Sequence, residues 1–475
     1  MDFDNYLPAK LNADQKKAFE LCLKYDRVLI LGGAGTGKST LIKTLNHYFE
    51  SKGLNVKLCA TTGKAATLIG GETLNRLAQV PTSFDILHNL KQKFTKMEIK
   101  KGQPKIKDVQ YVTMPAKIKC ADVIICDEVS MMLPETFYYF SELLKFKNKT
   151  TKLIFVGDFS QLPCVTTNEI KNLKTQNLEH LYINEWQFLL PFDKYFISQN
   201  WKIAKLNEVM RCQNQKFNKE AANIAKNIFN KTINNFFTIS DDFPDIVNKI
   251  LYDNYICITP LKDTVNQINT ICISKLSTKT KKFDCDIPFE AKTGMRIMSI
   301  INDKHEPMRY QNGSLGNIIG FQDNEIVVKF DDYPTPINIK QQIFQENHYD
   351  YIANVYDNIS YDSQIAEKLV KTKPEKFSYI PLIPAYAITV HKAQGSGFSK
   401  LVLILGDYAF SSGLLYTMIT RCKDPSQAIL SRPLRKKDIK IFPQILELNA
   451  LIDNENRLFT SKELDQKYLE MHKQK

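Results

Sequence analysis

Residues 32–40 read GGAGTGKST, preceded by the apolar run 27–31 (RVLIL) and followed by a helical pattern over 41–48. Glycines let successive backbone N–H groups turn inward, and a helix start adds partial positive charge, so strand, loop and helix form a P-loop built to cradle polyphosphate. In this reading Gly33, Ala34, Gly35, Thr36, Gly37, Ser39 and Thr40 surround the phosphates of ATP. Lys38 reaches the β and γ phosphates and Ser39 supplies a ligand to Mg²⁺. A second run, 123–126 (VIIC), leads straight into Asp127-Glu128, placing two carboxylates at the carboxyl edge of a sheet. Asp127 would hold Mg²⁺, and Glu128 would polarise water as general base, which makes the reaction hydrolysis. A third run, 153–156 (LIFV), ends in GDFSQLP, where Gln161 can hydrogen-bond both a γ-phosphate and a water.

These residues need a scaffold that brings strand ends together. Short β-branched runs alternate with helical patterns over the first 165 residues, which predicts a parallel sheet flanked by helices. Residues 83–120 interrupt the alternation as a polar, Lys-rich insertion. A second α/β unit starts near Lys194, includes the run 255–259, and resumes at 385–390 and 401–405. Between its halves, residues 286–379 change to short strands and turns, among them Asn312-Gly313, and predict a small inserted β-barrel. The last stretch reads as a charged, partly helical tail.

A chain of 475 residues with 43% hydrophobic and 24% charged residues is long enough for several packed domains, which excludes a mini-protein or a disordered chain. No apolar run approaches the roughly 20 residues that a bilayer span needs. The start Met1-Asp2-Phe3-Asp4 carries acids where a secretory peptide needs a basic start, so an intracellular protein without membrane attachment is expected. Ten cysteines without a CxxC pair predict reduced thiols. The net charge of +13 fits a polyanionic partner, and equally the Lys- and Asn-rich coding of an AT-rich genome. Clustering says more: residues 91–119 hold nine lysines against Glu98 and Asp108.

The order of these motifs resembles superfamily 1 helicases of the Pif and RecD-like group, which includes the phage Dda helicase. Residues 11–15 (LNADQ) are similar to the family's N-terminal Q element, which implies that Gln15 reads the adenine edge. Residues 60–66 (ATTGKAA) resemble its DNA-contacting "A-P-T-G-K-A-A", with Thr61 in place of proline, which implies Thr62, Gly63 and Lys64 as DNA contacts. Residues 206–217 resemble the element that delivers an arginine, here Arg211, to the γ-phosphate, with Cys212 replacing the usual glutamine. Residues 381–398 (PLIPAYAITVHKAQGSGF) are close to the family's most specific signature and imply Thr389, His391 and Lys392 as DNA contacts. For His391 a structural histidine is the open alternative. Residues 416–421 (YTMITR) resemble the last motif, with Arg421 as the second arginine.

The resemblance implies an α/β fold of two RecA-like cores, 1–190 and 191–285 with 381–445, an SH3-like β-barrel at 286–380 and a tail at 446–475. It implies a 5′ to 3′ DNA helicase with single-stranded and forked DNA as partners, for replication, recombination or repair. The chain would work as a monomer, with replication proteins as further partners. The insertion at 83–120 would act as a wedge whose Phe94 or Tyr111 stacks on the terminal base pair; a solvated loop is its alternative. Lys38, Glu128, Gln161, Arg211 and Arg421 form the implied catalytic set. Two other classes stay open: an ATPase that clamps DNA without moving, and a subunit of a larger nuclease or recombination complex.

Overall fold

A computed structural model describes residues 11–79, 114–133, 136–137, 140, 143–144, 150–164, 201–305, 308–346, 349–352, 368–371, 375–407, 411–453 and 459–460. Six strands build the first sheet: β1 (Arg27–Gly32), β2 (Val56–Ala60), β3 (Glu72–Thr73), β4 (Val123–Asp127), β5 (Lys152–Gly157) and β6 (Lys202–Leu206). A seventh, Phe459–Thr460, completes the order Phe459–Thr460, β6, β1, β5, β4, β2, β3. All pairs are parallel except the outermost, where Phe459–Thr460 runs antiparallel to β6. β1, β4 and β5 are buried along nearly their whole length, which is why they read as unbroken apolar runs rather than alternating ones.

Helix α1 (Ala13–Lys24) starts in a capping box: Asn12 Oδ1 accepts from the Gln15 N–H, and Gln15 Oε1 accepts from the Asn12 N–H. Helix α2 (Lys38–Ser51) starts at Gly37, left-handed at φ 79° and without a side-chain cap. Its first N–H groups therefore stay available at the end of β1. The α2 stripe of Leu41, Ile42, Leu45 and Phe49 joins Val28 and Ile30 of β1 and Ala18, Phe19 and Cys22 of α1 in one core.

Two sequence assignments change. Lys202–Leu206 was expected in the second α/β unit, yet it pairs with the free edge of β1, from Val28 against Lys202 to Gly32 against Leu206. The first sheet thus takes a strand from beyond residue 190. The segment expected as a separate tail gives that sheet its outermost strand. Lateral hydrogen bonding of an exposed strand edge, which local pattern does not encode, decides both.

By internal contacts the chain forms two compact units, Met1–Val265 with Ile388–Lys475, and Asn266–Ala387. The first also carries a five-stranded sheet in the order Ala387–Thr389, Ile256–Thr259, Leu401–Leu403, Ala428–Leu430, Thr238–Ile239. In it Ile256–Thr259 pairs with Leu401–Leu403, Leu401–Leu403 with Ala428–Leu430, and Ala428–Leu430 with Thr238–Ile239, all in parallel. The second unit is built on a five-stranded sheet in the order Ile337–Ile339, Glu325–Phe330, Leu315–Gln322, Arg296–Ser299, Leu382–Pro384, all antiparallel. It is broader than the 286–380 expected, beginning inside the helix Lys262–Ser274. At Asn312-Gly313 the glycine alone takes a positive φ, 94°. Most of the Lys-rich insertion, including Phe94 and Tyr111, lies outside the described residues. None of the ten cysteines is in a disulfide, and no helix among the described residues is long and apolar enough to cross a membrane.

Candidate active site

β1 ends at Gly32 and the chain curls through residues 33–37 into α2. Gly35 and Gly37 are left-handed, at φ 82° and 79°. A Cβ on Gly35 would meet Arg211 Cβ at 2.6 Å, and one on Gly37 would overlap the Gln15 amide, so at both positions conformation and space demand glycine. Lys38 Nζ donates to the carbonyls of Gly32 at 2.7 Å and Gly33 at 3.0 Å, which holds its charge inside the loop. Gln15 is buried, and its Nε2 donates to the Thr36 and Gly37 carbonyls, both at 3.3 Å. Oε1 is engaged in the capping box of α1 while Nε2 braces the loop, so in this structure both ends of the amide are taken.

β4 delivers Asp127 and Glu128 beside the loop. Asp127 Oδ1 accepts from the Glu128 N–H at 2.8 Å. Burial, and then the neighbouring Glu128 charge, push the Asp127 carboxyl up to about 7, against the pull of Lys38. Glu128 leaves the strand in a left-handed conformation, φ 54° and ψ 40°, uncommon for a residue with a Cβ. Its Oε2 is buried without a hydrogen-bond partner.

The third strand end, after β5, is tied to the second core. Asp158 accepts from the Ser160 N–H, from Gln161 Nε2 at 3.1 Å and from the Tyr416 hydroxyl at 3.1 Å. That same hydroxyl accepts from the Ala34 N–H of the P-loop at 3.2 Å. Burial, and then Asp158, keep the Tyr416 phenol well above its ordinary pKa. Thr417 Oγ1 accepts from the Leu162 N–H at 3.0 Å. Gly413, left-handed at φ 71°, brings the start of the helix Leu414–Ile419 against the carbonyls of Ser160 and Gln161.

Arg421 follows that helix and is 1% exposed. Its Nε donates to the Thr417 carbonyl, Nη1 to the Ser396 carbonyl, and Nη2 to Gln161 Oε1 at 3.3 Å and Thr420 Oγ1 at 3.2 Å. Burial, and then Arg211, pull it down to about 10, so it stays protonated at neutral pH. Arg211 stands in the segment after β6, whose Met210 N–H donates to the Gly35 carbonyl at 2.7 Å. It was expected from the second core, but it leaves the edge of the first sheet.

Lys38, Ser39, Thr40, Asp127, Glu128, Gln161, Arg211 and Arg421 thus line one cavity of about 260 Å³, with Ala34, Gly35 and Gly37 in its wall. Ser39 and Asp127 offer hard oxygen donors there, and the raised Asp127 beside a second carboxylate is an environment that a divalent cation relieves, so these residues fit Mg²⁺. Among the described residues no group of three or more His, Cys, Asp or Glu that could hold a metal ion is found.

The residues implied as DNA contacts sit at two short helix starts. Thr62 caps α3 (Gly63–Leu68), accepting from the Ala65 N–H, and Lys64 Nζ lies 6.0 Å from the Phe398 ring centre. Thr389 caps the turn Val390–Ala393. Burial, and then Lys262, lower the His391 pKa, which leaves the imidazole neutral at pH 7.

Lys262, which also lowers Lys392 after burial, has no motif to announce it. Tyr416 and Asp158 fall inside quoted motifs, but nothing in their type shows that they would bond to each other. Cys212 is buried in a second cavity of about 290 Å³ with Phe217, Cys422 and Tyr416, and is absent from the lining of the first.

Residues 15–167 match a family described as AAA domain. The chain is 27% identical over 441 residues to the ATP-dependent DNA helicase Pif1 of Campylobacter jejuni, spanning 86% of this chain and 89% of that one. It is 26% identical over 497 residues to the RecBCD enzyme subunit RecD of Buchnera aphidicola, 96% and 76% of the two chains. The crystal structure of Bacteroides Pif1 bound to ssDNA superposes with a TM-score of 0.70 at 22% identity, covering 95% of this chain and 99% of that one. In sequence along most of its length, and in fold, the chain is Pif1/RecD-like.

Proposed function

We propose that the chain is an ATP-dependent DNA helicase that moves 5′ to 3′ on single-stranded DNA and opens forked duplex. The observation that carries this is the convergence on one cavity of P-loop, paired carboxylates, Gln161 and two arginines from different elements. The relatives support it: Pif1 of Campylobacter jejuni is an ATP-dependent DNA helicase, Bacteroides Pif1 is described bound to ssDNA, and a structure of two coordinating Pif1 helicases is described for DNA unwinding at forked dsDNA.

In this reading Lys38 and the bare N–H groups of α2 hold the phosphates of ATP. Ser39 and Asp127 would hold Mg²⁺, which neutralises phosphate charge when bound. Glu128, with an unpartnered carboxylate oxygen, takes the proton of the attacking water. Arg211 and Arg421 stabilise charge growing on the γ-phosphoryl oxygens. Gln161, bonded to Arg421 in the second core and Asp158 in the first, couples phosphate occupancy to the fit between cores. Thr62, Gly63 and Lys64 on one core and Thr389, His391 and Lys392 on the other would grip the strand in alternation. The SH3-like character of the second unit, the wedge role of 83–120 and the monomeric state belong to the same proposal.

Strand displacement on forked substrates carrying a 5′ or a 3′ tail tests it, with ATPase measured with and without ssDNA. Unwinding from the 5′ tail with DNA-stimulated hydrolysis is the expected result. Stimulated ATPase without displacement would favour a DNA clamp, and displacement from 3′ tails alone would overturn the polarity.

A further inference from the structure

The geometry points to Thr61 as the positioning residue through which the DNA-facing helix start α3 sets the conformation of Glu128. Parallel pairing of β2 with β4 ends with Ala60 against Asp127. One further rung follows, from the Thr61 N–H to the Asp127 carbonyl at 3.2 Å. Beyond it the Thr61 hydroxyl donates to the Glu128 carbonyl at 2.7 Å.

These bonds fall on a strained residue. At φ 54° and ψ 40° Glu128 is one of only five non-glycine residues with positive φ among those described, and the others are Gln79, Asn227, Asn254 and Asp323. A residue with a Cβ persists there only when its surroundings over-determine it. Here its N–H is held by Asp127 Oδ1, and its carbonyl accepts from both the Met131 N–H at 3.0 Å and Thr61 Oγ1. The side chain is the opposite case, with Oε2 buried and unpaired. The backbone is pinned so that the carboxylate stays free to work, and the Thr61 hydroxyl is the pin that comes from outside the Glu128 segment itself.

The next residue after Thr61 is Thr62, the cap of α3, and Gly63 and Lys64 follow. No other residue separates the α3 cap from the side chain on Glu128. A strand gripping α3 therefore shifts the Thr61 hydroxyl and, through it, the peptide that sets where Glu128 points. A proline, the residue that the family resemblance leads one to expect here, has neither the N–H nor the hydroxyl. This inference rests on the proposal that α3 contacts DNA and that Glu128 is the base.

The test compares the full chain with Thr61→Val, which keeps the N–H rung and removes the hydroxyl, and Thr61→Ser, which keeps both. kcat and KM for ATP are measured with and without oligo-dT, and oligo-dT affinity by fluorescence anisotropy. In Thr61→Val the ratio of stimulated to basal kcat falls about tenfold, as expected for one well-placed hydrogen bond. KM and oligo-dT affinity stay within about twofold, and Thr61→Ser restores the ratio. An unchanged ratio in Thr61→Val overturns the inference, as does a fall in oligo-dT affinity that matches the fall in rate, since the hydroxyl would then be a DNA contact. If Thr61→Val does not fold, Thr61→Ser with a ratio as low as that of Thr61→Ala overturns it. A wild-type chain without DNA stimulation refutes the helicase reading itself, an outcome distinct from all of these.

Discussion

Replacing Tyr416 by Phe removes one oxygen from the centre of the contact between the two cores. That hydroxyl donates to Asp158 Oδ2 at 3.1 Å and accepts from the Ala34 N–H at 3.2 Å, in a residue 5% exposed, where water does not stand in for it. Asp158 keeps its bonds from the Ser160 N–H and Gln161 Nε2. A hydrogen bond to a charged group contributes about 1.5 to 3 kcal/mol, and 1.36 kcal/mol is tenfold in rate. Tyr416 belongs to the second core while Ala34 and Asp158 belong to the first, so the bond exists only when the cores are together and its loss falls on the closed state. ATPase kcat/KM should drop roughly tenfold to a hundredfold, with little change in thermal midpoint. In a double-mutant cycle with Asp158→Asn most of that loss should appear as coupling between the two sites. A drop of less than twofold, or independent effects in the cycle, would refute the idea that this hydroxyl holds the cores in register.

Four further outcomes are expected. Lys38→Ala should abolish hydrolysis by removing the loop's point charge, whereas Glu128→Gln should lose hydrolysis yet retain binding of a fluorescent ATP analogue. Asp127 is raised to about 7, so it is protonated below that pH; the folded state favours that neutral form, and ionisation as pH rises through 7 costs stability until a cation joins it. The apparent Mg²⁺ requirement of the ATPase should therefore rise up to about tenfold for each pH unit below 7, and Asp127→Asn should lose that pH dependence. Gly37→Ala forces a Cβ into the left-handed region, at about 1 to 2 kcal/mol, and against the Gln15 amide, so KM for ATP should rise at least tenfold while circular dichroism is unchanged.

The parts of the site that could be read from sequence are those whose chemistry is local. Residues 27–48 give strand, loop and helix in one stretch, and Asp127-Glu128 closes an apolar run, so periodicity alone puts their side chains at a sheet edge. Where pairing is lateral, local pattern is silent. KIAKL at 202–206 is a plausible strand for either core, and only the free edge of β1 assigns it to the first. Tyr416 inside LLYTMI reads as a core aromatic, since its bonding depends on an acceptor 258 residues away. Nor does sequence show that Glu128 turns left-handed or that Gln15 braces the loop, because both follow from neighbours that arrive through tertiary packing.

The electrostatics of the cavity bear on how its closed form would be released. Arg421 is buried and spends its donors on neutral acceptors: two carbonyls, an amide oxygen and a hydroxyl. Among the described residues no carboxylate lies within ion-pair distance of it, so its position is fixed while its charge is left largely uncompensated. Arg211 is near enough to lower it further, with Glu128, Tyr416 and Asp158 opposing. Fixed positive charge aimed at a low-dielectric cavity favours an anion in which negative charge is growing, which is the requirement of phosphoryl transfer. The same arrangement is unfavourable once that anion has gone, because two arginines then face each other with less to balance them. In the proposed cycle, phosphate between Arg421 and Arg211 therefore offsets their mutual repulsion, and that offset is lost when it leaves.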